Sequence, residues 1–268
     1  MTRVQPVFNE LLDRWPDGEP WLGELWELAA LTQSDALRKP ADIGKLQPSE
    51  TPRDRPSRRG KVFERTVAPP LDFLRWLLAH PDAMQVRDPI NFGAKSNVSR
   101  EWRRKLFSRD APLVSEARQE AERQLAKRAA LRGRQKWWAF EGFSHVDCCL
   151  LTDRCVIFVE GKRTETVSPS TLWFAQRSQI WRNVEAAREF AGGRQFGVIL
   201  VVASERDGRA ALGAAINSLT ASYPHLPPDQ QAELGRHLLG FTTWSEIVSR
   251  FQLPTSCLLD HVHPSLPP

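Results

Sequence analysis

The chain has 268 residues, 41% hydrophobic and 26% charged, a balance that suits a folded protein with a sizeable core and excludes wholesale disorder. No apolar run approaches the roughly 18 residues that cross a bilayer, and residues 1–10 lack the basic-then-apolar layout of a secretion signal, so a cytoplasmic protein with no membrane partner is expected. The formal charge of +5 is unevenly placed: residues 95–136 hold thirteen Lys and Arg against five Asp and Glu, which makes that segment the candidate phosphate-backbone surface.

In chain order, apolar residues at helical spacing predict helices over 21–32 and 71–80, separated by a Pro-, Ser- and Arg-rich loop over 39–65. A helix over 112–131 follows, with Leu113, Ala117, Ala121, Leu125 and Ala129 four apart. Strands are expected over 136–143, 145–152 and 155–162, then a helix over 171–191 stopped by Gly192-Gly193. The apolar run 196–203 reads as a strand buried on both faces. Asp207-Gly208 reads as a turn, followed by helices over 209–219, 228–239 and 243–251, the last with Thr243 and Glu246 in capping-box positions. The expected class is mixed α/β (α+β). Its parts are a helical accessory region over 1–111, a core over 112–205, and helices with a Pro-rich tail over 206–268. Cys148, Cys149, Cys155 and Cys257 lack metal-ligand spacing and are read as reduced, small buried hydrophobes.

The chemistry concentrates in residues 145–162. With Asp153-Arg154 as a two-residue loop, Thr152 faces Cys155 and Asp147 stands opposite Glu160, about 4.5–5.5 Å apart on a shared face. Lys162, two residues on, turns to the same side. Asp-Arg is not a preferred hairpin pair, and a longer loop would shift this register. Two opposed carboxylates in an apolar hairpin repel unless a cation lies between them, and hard oxygen ligands suit Mg2+ or Mn2+. Such a metal generates hydroxide and polarises a phosphoryl group, while Lys162 orients or deprotonates the attacking water.

Val146-Asp147 and Val159-Glu160-Gly161-Lys162, within this order of elements, resemble the PD-(D/E)XK nuclease superfamily, whose restriction-endonuclease-like core is αβββαβ. Arg163-Thr164-Glu165 is similar to bacterial members, and Arg177-x-Gln179-x-x-Arg182-Asn183 fits a signature on their next helix. The likeness covers residues 112–203; the Pro of the family name is Val146 here. It implies metal binding by Asp147 and Glu160 with the Gly161 carbonyl, Lys162 as catalytic lysine, and Gln179 and Asn183 facing the site, unless they are ordinary surface polars. An additional acidic residue is implied at Glu141, with Glu116 and Glu120 as alternatives. Arg103, Arg104, Lys105, Lys127, Arg132, Arg134, Lys136, Arg182 and Asn183 are the candidate nucleic-acid contacts.

The function implied is a Mg2+-dependent deoxyribonuclease acting on double- or single-stranded DNA by attack of a metal-activated water, with a homodimer as one arrangement. A non-catalytic nucleic-acid-binding scaffold and an RNA-directed nuclease are the alternatives. His145, beside the site, reads as a packed or solvated strand histidine with phosphate contact as the alternative, His261-Val-His263 and the glycines of 208–213 lack the partners their motifs require, and Trp137, Trp138 and Trp181 are read as packing residues, with base stacking as the alternative.

Overall fold

A computed structural model describes residues 4–47, 64–126, 136–163 and 166–258. Most of the loop expected over 39–65, the candidate contacts Lys127, Arg132 and Arg134, Thr164-Glu165 and the His261-Val-His263 tail lie outside these residues.

The fold is mixed α/β. Nine α-helices stand among the described residues: α1 (Val4–Arg14), α2 (Trp21–Ala30), α3 (Leu71–Ala79), α4 (Asn97–Leu106), α5 (Ala111–Leu125), α6 (Gln179–Ala191), α7 (Glu205–Ser222), α8 (Pro228–Arg236) and α9 (Trp244–Arg250). They surround a four-stranded sheet of β3 (Cys148–Leu151), β4 (Cys155–Gly161), β5 (Gln195–Val202) and β6 (Leu238–Thr243), in that order. The hairpin β3–β4 is antiparallel, whereas β4, β5 and β6 are parallel. Parallel neighbours need a crossover, and α6 supplies it between β4 and β5. A separate two-stranded ribbon pairs β1 (Arg65–Val67) with β2 (Ser144–Val146).

The period-two pleat sorts the sheet into two faces. Cys148, Leu150, Ile157, Val159, Ile199 and Val201 pack with α1, α2 and α9, while Cys149, Val156, Phe158, Val198, Leu200 and Val202 pack with α6 and α7. A third cluster joins α3 and α5 to Trp137, Trp138, Phe140 and Trp173 beside the sheet. All four cysteines are free and buried.

Three expectations are overturned. Residues 136–143 form hydrogen-bonded turns, because Trp137, Trp138 and Phe140 bury into the third cluster and leave no extended edge to pair. The strand expected over 145–152 breaks at Asp147 into β2 and β3, which join different sheets. Asp207-Gly208 is no turn: Ser204 caps α7, its side chain accepting from the Asp207 N–H, and both residues are helical. Further, α1, α4 and β6 were not expected, and the helix expected over 171–191 begins only at Gln179.

Gly208 is required by packing. A Cβ there would run into the Phe241 ring on β6, so Gly208→Ala is expected to lower stability by about 1–3 kcal/mol despite its better helix propensity. Urea denaturation checks this, and an unchanged or raised midpoint would count against the close helix–sheet approach.

Among the described residues no helix is long and apolar enough to cross a membrane.

Candidate active site

The hairpin register brings the acids together. Cys148 pairs with Val159 and Leu151 with Val156, so one step further places Asp147 across from Glu160. Thr152 closes the loop: its amide donates to the Cys155 carbonyl at 2.9 Å, and its hydroxyl accepts from the Arg154 and Cys155 amides at 3.1 and 2.7 Å. By alternation, Glu160 and Lys162 share the face of Phe158, which is the face that α6 covers. Asp147, in the break between β2 and β3, accepts the Gly161 N–H on Oδ2 at 3.0 Å, close enough for its charge to act on Glu160.

Helix α6 completes the arrangement from above. Its N-cap Ser178 accepts from the Trp181 amide, which sets Gln179 at the first turn and Asn183 one turn later on the same side. Gln179 Nε2 donates to Glu160 Oε1 at 2.7 Å and Asn183 Nδ2 donates to Oε2 at 2.8 Å. The Lys162 ammonium lies 2.5 Å from Glu160 Oε1 and donates to Gln179 Oε1 at 3.4 Å. The Lys162 carbonyl accepts from Trp244 Nε1 at 2.9 Å, and its amide donates to Val201 at 2.7 Å, so the backbone beneath the lysine is fixed on both sides.

Glu160 is only 2% exposed. Burial pushes its carboxyl above the usual range, Lys162 opposes that shift, and the charge of Asp147 adds to it. Arg182, on the outer side of α6, feels both Glu141 and Glu160. Burial lowers the proton affinity of its guanidinium, and Nη2 donates to the Gly142 carbonyl at 3.4 Å.

The other expected site residues fall elsewhere. Glu141 is buried in an ion pair with Arg177, which also donates to Glu185 Oε2 at 2.8 Å and to the Ser222 carbonyl at 3.1 Å. Glu185 in turn meets His225 Nε2 at 2.7 Å. This network, lying on the Phe73 ring, is a structural clamp on the start of α6. Sequence reasoning gave Arg177 a place in a motif but no task, and nothing in the spacing of Glu185 set it apart from the other charged residues of α6, Arg182, Arg188 and Glu189. Glu116 pairs with Lys105 at 2.6 Å and Glu120 with Arg123 at 2.6 Å on α5, which packs on α3 and α4.

Arg103 is no surface contact. It is 4% exposed, donates to the Trp137 and Phe92 carbonyls, and stacks on Phe140 and Trp173, burial lowering its pKa to about 10. Asn183 is likewise buried and engaged by Glu160. Arg104 is exposed, while Lys105 and Lys136 are half-buried.

Set against family models, curated proteins and solved structures, the chain has no match in any of the three. Its chemistry is therefore read from these side chains alone.

Among the described residues no group of three or more His, Cys, Asp or Glu side chains is arranged to hold a metal ion by itself. The oxygens that could serve a cation here are the carboxylates of Asp147 and Glu160 and the carbonyl of Gly161. A carboxylate has about four acceptor positions, and the three hydrogen bonds to Glu160 leave one of them on Oε2. Few protein oxygens, with the remaining positions left to water and phosphate, is the manner in which Mg2+ is held.

Proposed function

We propose that the protein is a Mg2+- or Mn2+-dependent nuclease that hydrolyses phosphodiester bonds of DNA. The observation that carries this reading is the pairing of Glu160 with Lys162 beneath Gln179 and Asn183, with Asp147 at the neighbouring Gly161 amide and near enough for its charge to act on Glu160. Two acids 13 residues apart in an apolar hairpin, one of them raised in proton affinity by its burial and further by the charge of the other, cost stability that a bound cation would offset. The order α5, β3–β4 hairpin, α6, β5 is similar to the αβββαβ order of the PD-(D/E)XK core, with one strand fewer in the sheet, and supports the reading to that extent.

Asp147 and Glu160 would hold the metal, with the Gly161 carbonyl as a further oxygen. When bound, it supplies Lewis acidity to a phosphoryl oxygen and acidifies a water. Lys162 presents an ammonium beside Glu160, where it donates to a water or to a non-bridging phosphate oxygen and offsets the charge that grows there. Gln179 holds Glu160 Oε1 and Lys162 in one geometry, and Asn183 fixes Oε2. The N-terminus of α6 adds its positive dipole end to the same place. Hydrolysis forms one P–O bond to water and breaks one bridging P–O bond, leaving a phosphomonoester and an alcohol.

The test is a cleavage panel of single- and double-stranded DNA and RNA with magnesium, with manganese and with chelator. Metal-dependent cutting of DNA is expected. Binding without cutting under every condition would leave a scaffold, and cutting of RNA alone would move the substrate.

A further inference from the structure

Lys162 belongs to two spaces. One is the acidic site; the other is a cavity of about 320 Å³ at the carboxyl ends of β4 and β5, bounded by Lys162, Arg163, Pro169, Val202, Ala211 and Ala214. In open α/β sheets this edge of parallel strands is where ligands settle, and the volume lies at the lower end of the range for small organic groups, roughly 300–1,000 Å³. The walls are mainly apolar, with two basic side chains among the lining.

We infer that this cavity receives one unstacked nucleobase of the cleaved strand, adjacent to the phosphate at Lys162. The inference rests on the nuclease reading for its substrate, and three observations favour a base over a second phosphate. First, a group covalently joined to a phosphate at Lys162 has this cavity as a direct continuation, since the same side chain lines both. Second, the Asp207 carboxylate also lines it, held by a 2.6 Å hydrogen bond from Ser204, and repels a further anion. Third, α7 faces it with Ala210, Ala211 and Ala214, whose short side chains leave room for a flat apolar ring.

Three of the lining hydroxyls are engaged inside the protein: Ser178 accepts from the Trp181 amide, Ser218 donates to the Ala215 carbonyl and Ser168 to the Ser170 carbonyl. Such a slot holds a ring mainly by shape and dispersion, with Lys162, Arg163 and Asp207 as the charged residues of its lining. A base in a duplex must first leave its stack, which disfavours intact double strands. The substrate class is therefore single-stranded DNA or a frayed or flapped end.

The experiment uses the full chain with calcium in place of magnesium and a single-stranded DNA dodecamer carrying 2-aminopurine at successive positions. Fluorescence is expected to rise at least threefold at one position, as the base leaves its neighbours. Ala214 and Ala210 are exposed on α7, so Ala214→Leu and Ala210→Leu fill the cavity without repacking the core. Each should abolish the rise and weaken binding, read by anisotropy, about tenfold. An abasic residue at the same position should weaken binding of the unaltered protein to the same degree, which keeps the test independent of how the variants fold.

Binding without a rise at any position, parent-like binding by the leucine variants, or no binding of the dodecamer would overturn the slot. A dodecamer held with its base unstacked but never cut in magnesium would overturn the nuclease reading and leave the slot standing. Cutting at the parent rate by Ala214→Leu, with abasic substrate cut equally well, would do the reverse.

Discussion

Exchanging Lys162 for methionine is expected to slow metal-dependent DNA cleavage by about 10²–10⁴-fold, the range for a positioned proton donor or electrostatic group. Methionine keeps an unbranched stem and removes the charge, so contacts along the side chain change little. The loss leaves Glu160 buried beside Asp147 without its ammonium, and the carboxyl of Glu160 rises further because the largest influence lowering it is gone, while the Asn183 hydrogen bond still acts that way. Asp147→Asn makes the complementary test: it retains an oxygen for the Gly161 N–H and removes the charge that would bind a cation. Cleavage should fall by a similar factor, with metal affinity measured by calorimetry falling alongside. If both variants cut DNA at the parent rate, the acids and the lysine are not the site.

Replacing Arg177 by methionine should cost about 3–5 kcal/mol of stability, the penalty for leaving buried charge uncompensated. Arg177 is fully buried, with Glu141 and Glu185 on one side and the Phe73 ring on the other. Glu185 links this to pH. Although burial raises its carboxyl, Arg177 and His225 together bring it down to about 2. A carboxyl whose folded value lies below its unfolded one contributes stability fully above the unfolded value, near 4.5, and loses it as pH falls toward the folded value. The parent should therefore hold its denaturation midpoint down to about pH 4.5 and lose it between there and pH 2. Glu185→Gln should flatten that decline. A midpoint in Arg177→Met within 1 kcal/mol of the parent would refute the clamp.

The hairpin was legible from its sequence because two local signals agree: apolar runs of strand length on either side, and a two-residue gap between them. Asp-Arg is an unfavoured turn pair, yet Thr152 compensates by accepting two amides that the turn would leave unpaired. Gln179 and Asn183 were legible for the same reason, since helical spacing alone puts them on one side. Burial was not. Arg103 counts as one more positive charge in residues 95–136, and only the folded chain shows its guanidinium sandwiched between aromatic rings and hydrogen-bonded to carbonyls. Residues 136–143 carry the aromatics of a strand, but their partners are α3 and α5, and the sheet has no place for them. β6 is too short for its period to separate it from the end of the preceding helix, and its Gly240 adopts φ +121° beside a register shift against β5.

Gly161 sits where the sheet meets both extremes of the described helices. A side chain there would strike Val4 of α1 and approach within 2.9 Å of the Trp244 indole on α9, the same indole that grips the next carbonyl. The edge that carries Lys162 is thus bolted from two remote stretches of polypeptide. Excising the hairpin and its crossover helix as a minimal fragment would strip one whole side of the sheet and release the backbone under the lysine, so a fragment that keeps this edge intact is expected to need both α1 and α9.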